Sequence, residues 1–217
     1  MLNLTFERRR DSIFRILCLG AHSDDIEIGC AGTVLRILEE NPDAEVLWVV
    51  MGASGQRADE ATASAKAFLA RARQKEVIVK EFRDGFFPYI GAEIKGFFEE
   101  LKRRFAPGLI LTHCRNDLHQ DHRLVSELTW NTFRNHLILE YEILKYDGDL
   151  GTPNVFVHLT ESLARRKVGI LLDSFRSQLK KNWFTEDAFL AILRLRGLEC
   201  NAPEKYAEAY HARKLVL

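Results

Sequence analysis

The chain has 217 residues, with 31 basic and 31 acidic side chains, 47% apolar and 29% charged content. That length supports one domain with a full core rather than two, and a zero net charge removes any global field that would recruit nucleic acid or an anionic membrane. No apolar run approaches the ~20 residues of a membrane span. Met1 to Asp11 is charged and lacks the apolar core of a signal peptide. The four cysteines show no CxxC pairing, so the expectation is a cytoplasmic protein with reduced, packed thiols. Arg8-Arg9-Arg10, Lys102-Arg103-Arg104 and Arg165-Arg166-Lys167 read as solvated faces rather than phosphate patches.

Ile16 to Leu19 is a continuous apolar run, as expected of a parallel strand covered on both faces. Gly20 and Ala21 are expected to turn the chain, leaving His22, Ser23, Asp24 and Asp25 at the strand's carboxyl end. Apolar spacing over Thr33 to Leu38 predicts a helix closed by Pro42. A second strand, Glu45 to Met51, runs into the flexible loop Gly52 to Arg57. An Ala-rich helix over Asp59 to Arg73 precedes a third strand at Val77 to Val79 and an aromatic loop, Asp84 to Tyr89. Ile94 to Arg104 is an amphipathic helix ended by Pro107-Gly108. The fourth strand, Leu109 to Thr112, leads straight into a polar stretch from His113 to Arg123.

A helix over Leu124 to His136 and a strand over Ile138 to Tyr146 follow. After the turn-rich Asp147 to Pro153 come a strand at Val155 to Leu159 and helices near Glu161 to Phe175 and Glu186 to Arg196. Tyr206, Tyr210 and His211 lie on a stretch expected to fold over the sheet edge. The alternation predicts an α/β fold: a doubly wound, mostly parallel sheet with helices on both faces. Residues 1–217 are expected to form a single domain, with the helical C-terminal part (about 161–217) packing on the sheet.

Ligands of open α/β sheets bind beyond the strand carboxyl ends. His22, Asp24 and Asp25 follow the first strand, and His119, Asp121 and His122 follow the fourth. In the commonest doubly wound order these strands are neighbours. The clusters can therefore converge, although His22 and His122 are a hundred residues apart in the chain. A His, a carboxylate and a second His with one open position make the catalytic rather than the structural zinc pattern. Such an ion lowers the pKa of water towards ~7 and polarises a carbonyl. Adjacent aspartates point apart, so one can bind metal while the other takes the water's proton. His119 and His122, three residues apart, can likewise divide ligation from stabilising the oxyanion.

Each residue alone has an ordinary explanation. An Asp can be an N-cap, and a strand-end His is commonly a surface residue. Two such clusters at corresponding strand ends nevertheless argue jointly for a site. His113, Arg115, Asn116 and Asp117 share the loop of His119, either to touch substrate or to hold the loop through internal hydrogen bonds. Phe86, Phe87, Tyr89, Trp183 and Phe184 read as lid or core contacts before sugar-stacking surfaces. Gly20, Gly29 and Gly32 do not make GxGxxG, and two carboxylates would stand where pyrophosphate must sit. No Gly-x-Ser-x-Gly elbow is present.

Ala21-His22-Ser23-Asp24-Asp25 and His119-Gln120-Asp121-His122 resemble the paired signatures Ala-His-Pro-Asp-Asp and His-Pro-Asp-His of the LmbE-like, or PIG-L, zinc-dependent deacetylases. That family includes N-acetylglucosaminyl-phosphatidylinositol de-N-acetylases and the sugar deacetylases of mycothiol and bacillithiol synthesis. The match runs in order and spacing over the first two-thirds of the chain. The resemblance implies an LmbE-like, Rossmann-like topology, with His22, Asp25 and His122 as zinc ligands. It implies Asp24 as general base and His119 as the residue that steadies the oxyanion and assists the departing amine. Arg57 resembles a substrate-contacting arginine, and Asp121 a support that orients a histidine.

The implied reaction is hydrolysis of the acetamide of an N-acetylated amino sugar or sugar conjugate. Its cofactor is Zn2+, or another divalent ion such as Fe2+. The implied partner is a small-molecule substrate, with no nucleic acid and no membrane span, and the oligomeric state stays open. Ser23 and Gln120 stand where the family has prolines, so both turns lose a fixed φ without losing a chemical group. Gly29-Cys30-Ala31-Gly32 stands for the family's glycine-rich continuation, with Cys30 read as a packing residue. The rival reading is a noncatalytic sugar- or metabolite-binding module of the same fold, which would need no general base beside the ligands.

Overall fold

The structure, a computed structural model, describes residues 13–215; the charged Met1 to Asp11 segment, with Arg8-Arg9-Arg10, lies outside the described residues. Strands β1 (Arg15–His22), β2 (Glu45–Gly52), β3 (Gln74–Val79), β4 (Leu109–His113), β5 (Leu137–Tyr141), β6 (Val155–Leu159) and β7 (Tyr206–His211) form one sheet. Their order is β3-β2-β1-β4-β5-β7-β6. All neighbours from β3 through β5 are parallel, whereas β7 runs antiparallel to both β5 and β6. β1 lies directly beside β4, with Ile16, Leu17 and Cys18 opposite Leu109, Ile110 and Leu111. The expected adjacency of the first and fourth strands therefore holds.

Both faces of the sheet are covered. The helices are α1 (Asp25–Glu40), α2 (Gln56–Phe68), α3 (Gly91–Arg104), α4 (Gln120–Thr132), α5 (Glu161–Ser174) and α6 (Glu186–Glu199). Side chains alternate across a strand. Ile16, Cys18, Val46, Trp48 and Val50 thus join a core with apolar residues of α1, α2, α5 and α6. Leu17, Leu19, Leu47, Val49 and Met51 join another with α3 and α4. A strand buried on both sides reads as an unbroken apolar run, which is why β1 and β2 were legible. The four cysteines are buried and free. Among the described residues no helix is long and apolar enough to cross a membrane.

Both α2 and α4 start and end earlier than expected, at Gln56 and Gln120, which takes Arg57 out of the expected loop. Four further local expectations differ from the structure, and three of these differences bear on the site. β1 does not turn at Gly20; it continues to His22, and the turn falls on Ser23 and Asp24. Gly20 is instead a point of close approach, where a Cβ would lie 2.9 Å from Cγ1 of Ile26. α1 then starts at Asp25, well before Thr33, and runs through two glycines that weaken the intrinsic helix signal. Packing overrides that weakness: a Cβ on Gly29 would stand 2.2 Å from Cδ2 of Tyr141. β5 ends at Tyr141, leaving Glu142 to Tyr146 in a loop.

The fourth difference is at the C-terminus. The stretch expected over the sheet edge is β7, inserted in the sheet between β5 and β6. Its pattern was obscured by Glu208, a buried carboxylate in a strand. Glu208 accepts the amide N–H groups of Gly32 (2.8 Å) and Thr33 (2.6 Å) in the middle of α1, and pairs with Lys167 of α5 at 2.6 Å. Lys167 also donates to the carbonyl of Ile28 at 2.6 Å. Side chains from α5 and β7 thus reach into the hydrogen-bond ladder of α1.

Candidate metal centre

β1 delivers His22 to the carboxyl edge of the sheet, the tight Ser23-Asp24 turn follows, and Asp25 opens α1. One strand over, β4 delivers His113, and the loop after it ends at His119, the N-cap of α4, with His122 in the first turn. The two clusters meet. His22 Nδ1 lies 3.1 Å from His122 Nε2 and 3.4 Å from Asp25 Oδ2, and His122 Nε2 lies 3.5 Å from the same oxygen. A tetrahedral ion with bonds of about 2.0–2.1 Å places its ligand atoms about 3.3 Å apart. The triangle fits. All three residues are buried; the two facing ring nitrogens share at most one proton, and Asp25 Oδ2 beside them takes the His22 amide N–H at 2.6 Å. A shared cation satisfies them together. Burial opposes a charge on His22, but Asp25, Asp121 and Asp84 outweigh it and raise its pKa well above the ordinary value. The pocket calls for positive charge.

Asp24 occupies the N-cap position of α1 but makes no side-chain capping bond, so the ordinary explanation of an Asp there does not apply. Its Oδ1 accepts from Arg57 Nη2 at 3.1 Å, while Arg57 Nε donates to Ser23 Oγ at 2.9 Å. Burial and the neighbouring Asp25 raise the Asp24 pKa, with Arg57 opposing them. A partly desolvated carboxylate beside the donor triangle is suited to accept a proton. Asp25 is driven the other way. Burial favours its neutral form, but His122, His113 and His22 outweigh this and hold its carboxyl well below the usual range.

His119 is half-buried, and its Nδ1 accepts the Asp121 amide N–H at 3.3 Å. A neutral ring accepting at Nδ1 carries its proton on Nε2. Burial and the nearby His122 and His22 lower its pKa, so the ring is a neutral donor. Asp121, fully buried, accepts from the amides of Gly85 (2.6 Å) and Phe87 (3.1 Å) and stands 3.2 Å from His22 Nε2. It ties the loop after β3 to the outer edge of His22. Asp117 lies behind the site, not on its wall. Its Oδ2 accepts from His122 Nδ1 at 2.9 Å and its Oδ1 from the His119 amide at 2.8 Å.

Two further residues belong to the cluster. His113 is fully buried, stacks on His122 with centroids 3.9 Å apart, and places Nε2 3.1 Å from Asp25 Oδ2. That nitrogen accepts the Ala21 amide at 2.9 Å, and burial with His122 lowers the ring's pKa to about 4. His113 is thus a neutral wedge between two of the triangle's members. The sequence placed His113 on the loop of His119; it is instead the last residue of β4, fully buried. Asp84 Oδ1 lies 3.1 Å from His22 Nε2, and its Oδ2 3.7 Å from Arg57 Nη1. Its place after the third strand, beside Gly85, was the available clue. Outward from Arg57 and Asp84 runs a cleft of about 470 Å³, lined also by Ser54, Phe82 and Arg83. That volume suits a small molecule.

The sequence model of the PIG-L family, GlcNAc-PI de-N-acetylase, matches residues 17–133, more than half of the chain and all of the cluster. No curated protein sequence matches. Solved structures share the fold at low identity. The conserved protein TT1542 from Thermus thermophilus is 18% identical with a TM-score of 0.73, covering 94% of this chain and 97% of its own. The N,N'-diacetylchitobiose deacetylase of Pyrococcus horikoshii, in complex with an inhibitor, is also 18% identical (TM-score 0.69; 96% and 87% covered). The 4-carboxy-2-hydroxymuconate hydratase GalB of Pseudomonas putida is 14% identical (TM-score 0.71; 94% and 98% covered). One fold carries both a deacetylase and a hydratase, so the chemistry must be argued from the site.

Proposed function

We propose that this chain, which belongs to the PIG-L family of GlcNAc-PI de-N-acetylases, is a metal-dependent N-deacetylase acting on an N-acetylated amino sugar or sugar conjugate. The observation that carries the reading is the donor triangle of His22, Asp25 and His122, flanked by Asp24 and His119. These three residues hold the ion, zinc in the first instance and Fe2+ as the alternative. Bound there, a divalent cation would supply Lewis acidity, polarising the scissile carbonyl and lowering the pKa of water.

The chain's own residues do the rest. Asp24 takes a proton from the attacking water, whose oxygen adds to the carbonyl carbon. His119 donates its Nε2–H to the oxygen that gains charge. The C–N bond then breaks, the proton passes to the departing nitrogen, and acetate and a free amine remain. Arg57, bonded to both Asp24 and Ser23, holds the base in place and faces the cleft where the sugar binds. The reading includes a cytoplasmic location, suggested by four cysteines without paired spacing.

The test is metal content together with acetate release from N-acetyl sugars, in the native chain and in Asp25→Ala and Asp24→Asn. About one ion per chain, lost in Asp25→Ala but kept by an inactive Asp24→Asn, is the expected result. Failure of the native chain to bind any divalent ion after reconstitution would sink the hydrolase and favour the noncatalytic binding module.

A further inference from the structure

The geometry points to Lys145 as a positioning residue for His122, acting through Asp117. The inference rests on the metal reading above. Lys145 lies in the loop after β5, outside the residues matched by the family model. Its side chain is only 10% exposed, and Nζ stands 3.1 Å from Asp117 Oδ2. The same ammonium pairs with Asp149, whose Oδ2 accepts the Leu118 amide at 2.7 Å. Lys145 therefore bridges two loops: its own, and the one that runs from β4 to His119.

Asp117 Oδ2 is where this matters, because it takes both the Lys145 ammonium and His122 Nδ1 at 2.9 Å. A carboxylate can only accept, so it keeps the ring proton on Nδ1 and turns Nε2, with its free lone pair, towards His22 and Asp25. Partners of this kind set the tautomer and orientation of metal-binding histidines. Asp117 is nearly as buried as His122, and a buried carboxylate is held in place only when it is paired. Lys145 is the cation that pairs it. Without Lys145 the carboxylate keeps the His119 amide at Oδ1 but loses the cation at Oδ2, the oxygen that aims the His122 ring, and that contact loosens.

The experiment uses the full chain stripped with a chelator, with Zn2+ affinity measured by chelator competition and the visible spectrum recorded after adding Co2+. Lys145→Met is expected to weaken Zn2+ binding about 10–100-fold and to change the Co2+ ligand-field bands. Lys145→Arg, which keeps the cation, is expected to restore most of both. Unchanged Zn2+ affinity and Co2+ spectrum in Lys145→Met, even with a lower Tm of the stripped protein, would overturn the inference. If Lys145→Met does not fold, Lys145→Gln against Lys145→Arg decides in the same way: weaker binding by Gln alone supports the role, and equal binding removes it. A native chain that binds neither ion would overturn this inference and the metal reading together. Tight native binding matched by the variants would overturn the Lys145 role alone.

Discussion

Helix α1 carries two buried polar clusters, one at its first turn and one at its middle, and they are built on opposite terms. At the middle, Glu208 accepts from two α1 amides, Lys167 and the Tyr210 hydroxyl, while Lys167 also serves the Ile28 carbonyl. The bonding capacity of the carboxylate is filled from within the chain. At the first turn the groups have partners too, but their ligand atoms converge on one another. Asp24 and Asp25 are adjacent, and the ring nitrogens of His22 and His122 face each other with a single carboxylate oxygen beside them. The two are alike in burial and differ in what faces the carboxylate: the Lys167 ammonium at Glu208, imidazole nitrogens at Asp25. A carboxylate paired with a fixed ammonium holds a fold, whereas one grouped with titratable rings holds capacity for chemistry.

The contrast can be tested by disturbing each cluster and reading both stability and turnover. Asp24→Asn is expected to lower kcat for acetate release about 10²–10⁴-fold. Folding stability by urea denaturation should stay level or rise, since a repulsion beside Asp25 is relieved. Glu208→Ala reverses the pattern. It leaves Lys167 buried without its carboxylate partner and removes the acceptor shared by two α1 amides, so a loss of about 3–5 kcal/mol is expected in urea unfolding. Zn2+ affinity of the folded fraction should change little. His119→Gln, which removes the ring but keeps a donor, should lower kcat about 10²-fold with Zn2+ affinity retained.

Smaller effects sharpen the boundary between the clusters. Gly29→Ala drives a methyl into the Tyr141 ring and should cost about 1–3 kcal/mol by overpacking, read in the same unfolding experiment. The smallest effect is a pH dependence away from both clusters. The sulfur of Cys114 and the Glu142 carboxylate raise the His211 pKa to about 10 against the cost of burial. A ring with a raised folded-state pKa stabilises fully below its unfolded value of about 6.5 and loses that contribution as pH climbs towards 10. His211 Nε2 is 3.8 Å from Glu142 Oε1, an ion-pair separation rather than a hydrogen bond. Glu142 also pairs with the buried Arg196 at 2.7 Å, so Glu142→Gln lowers stability at every pH; the His211 contribution is the extra gap, no more than about 1 kcal/mol larger at pH 6 than at pH 10.

Much of the fold was legible because its signals are local. Unbroken apolar runs marked β1, β2 and β4, and the alternation of strands with helical segments implied a parallel sheet. α1 was half-hidden, since its first eight residues include two acids and two glycines, and only the Tyr141 and Glu208 contacts explain that choice. β7 was missed because a buried Glu interrupts the pattern by which a strand is recognised. In the site, His22, Asp24, Asp25, His119, Asp121 and His122 stood out through residue type and spacing. Asp117 was expected either to touch substrate or to hold the loop; it holds the loop, accepting the His119 amide, and it also backs His122.

What the chain order alone determined was which chemical groups stand at the ends of which strands, because a strand and the turn after it are set within a few residues. Tertiary structure decided the partnerships. Register between β1 and β4 brings His22 to His122 across a hundred residues, and the strand order carries Glu208 into a helix 176 residues away. The end of β5 frees the loop whose Lys145 meets Asp117. Hydrogen bonds and ion pairs act over a few ångströms of space and are indifferent to chain distance. The groups could be read one by one, but their pairing required the sheet.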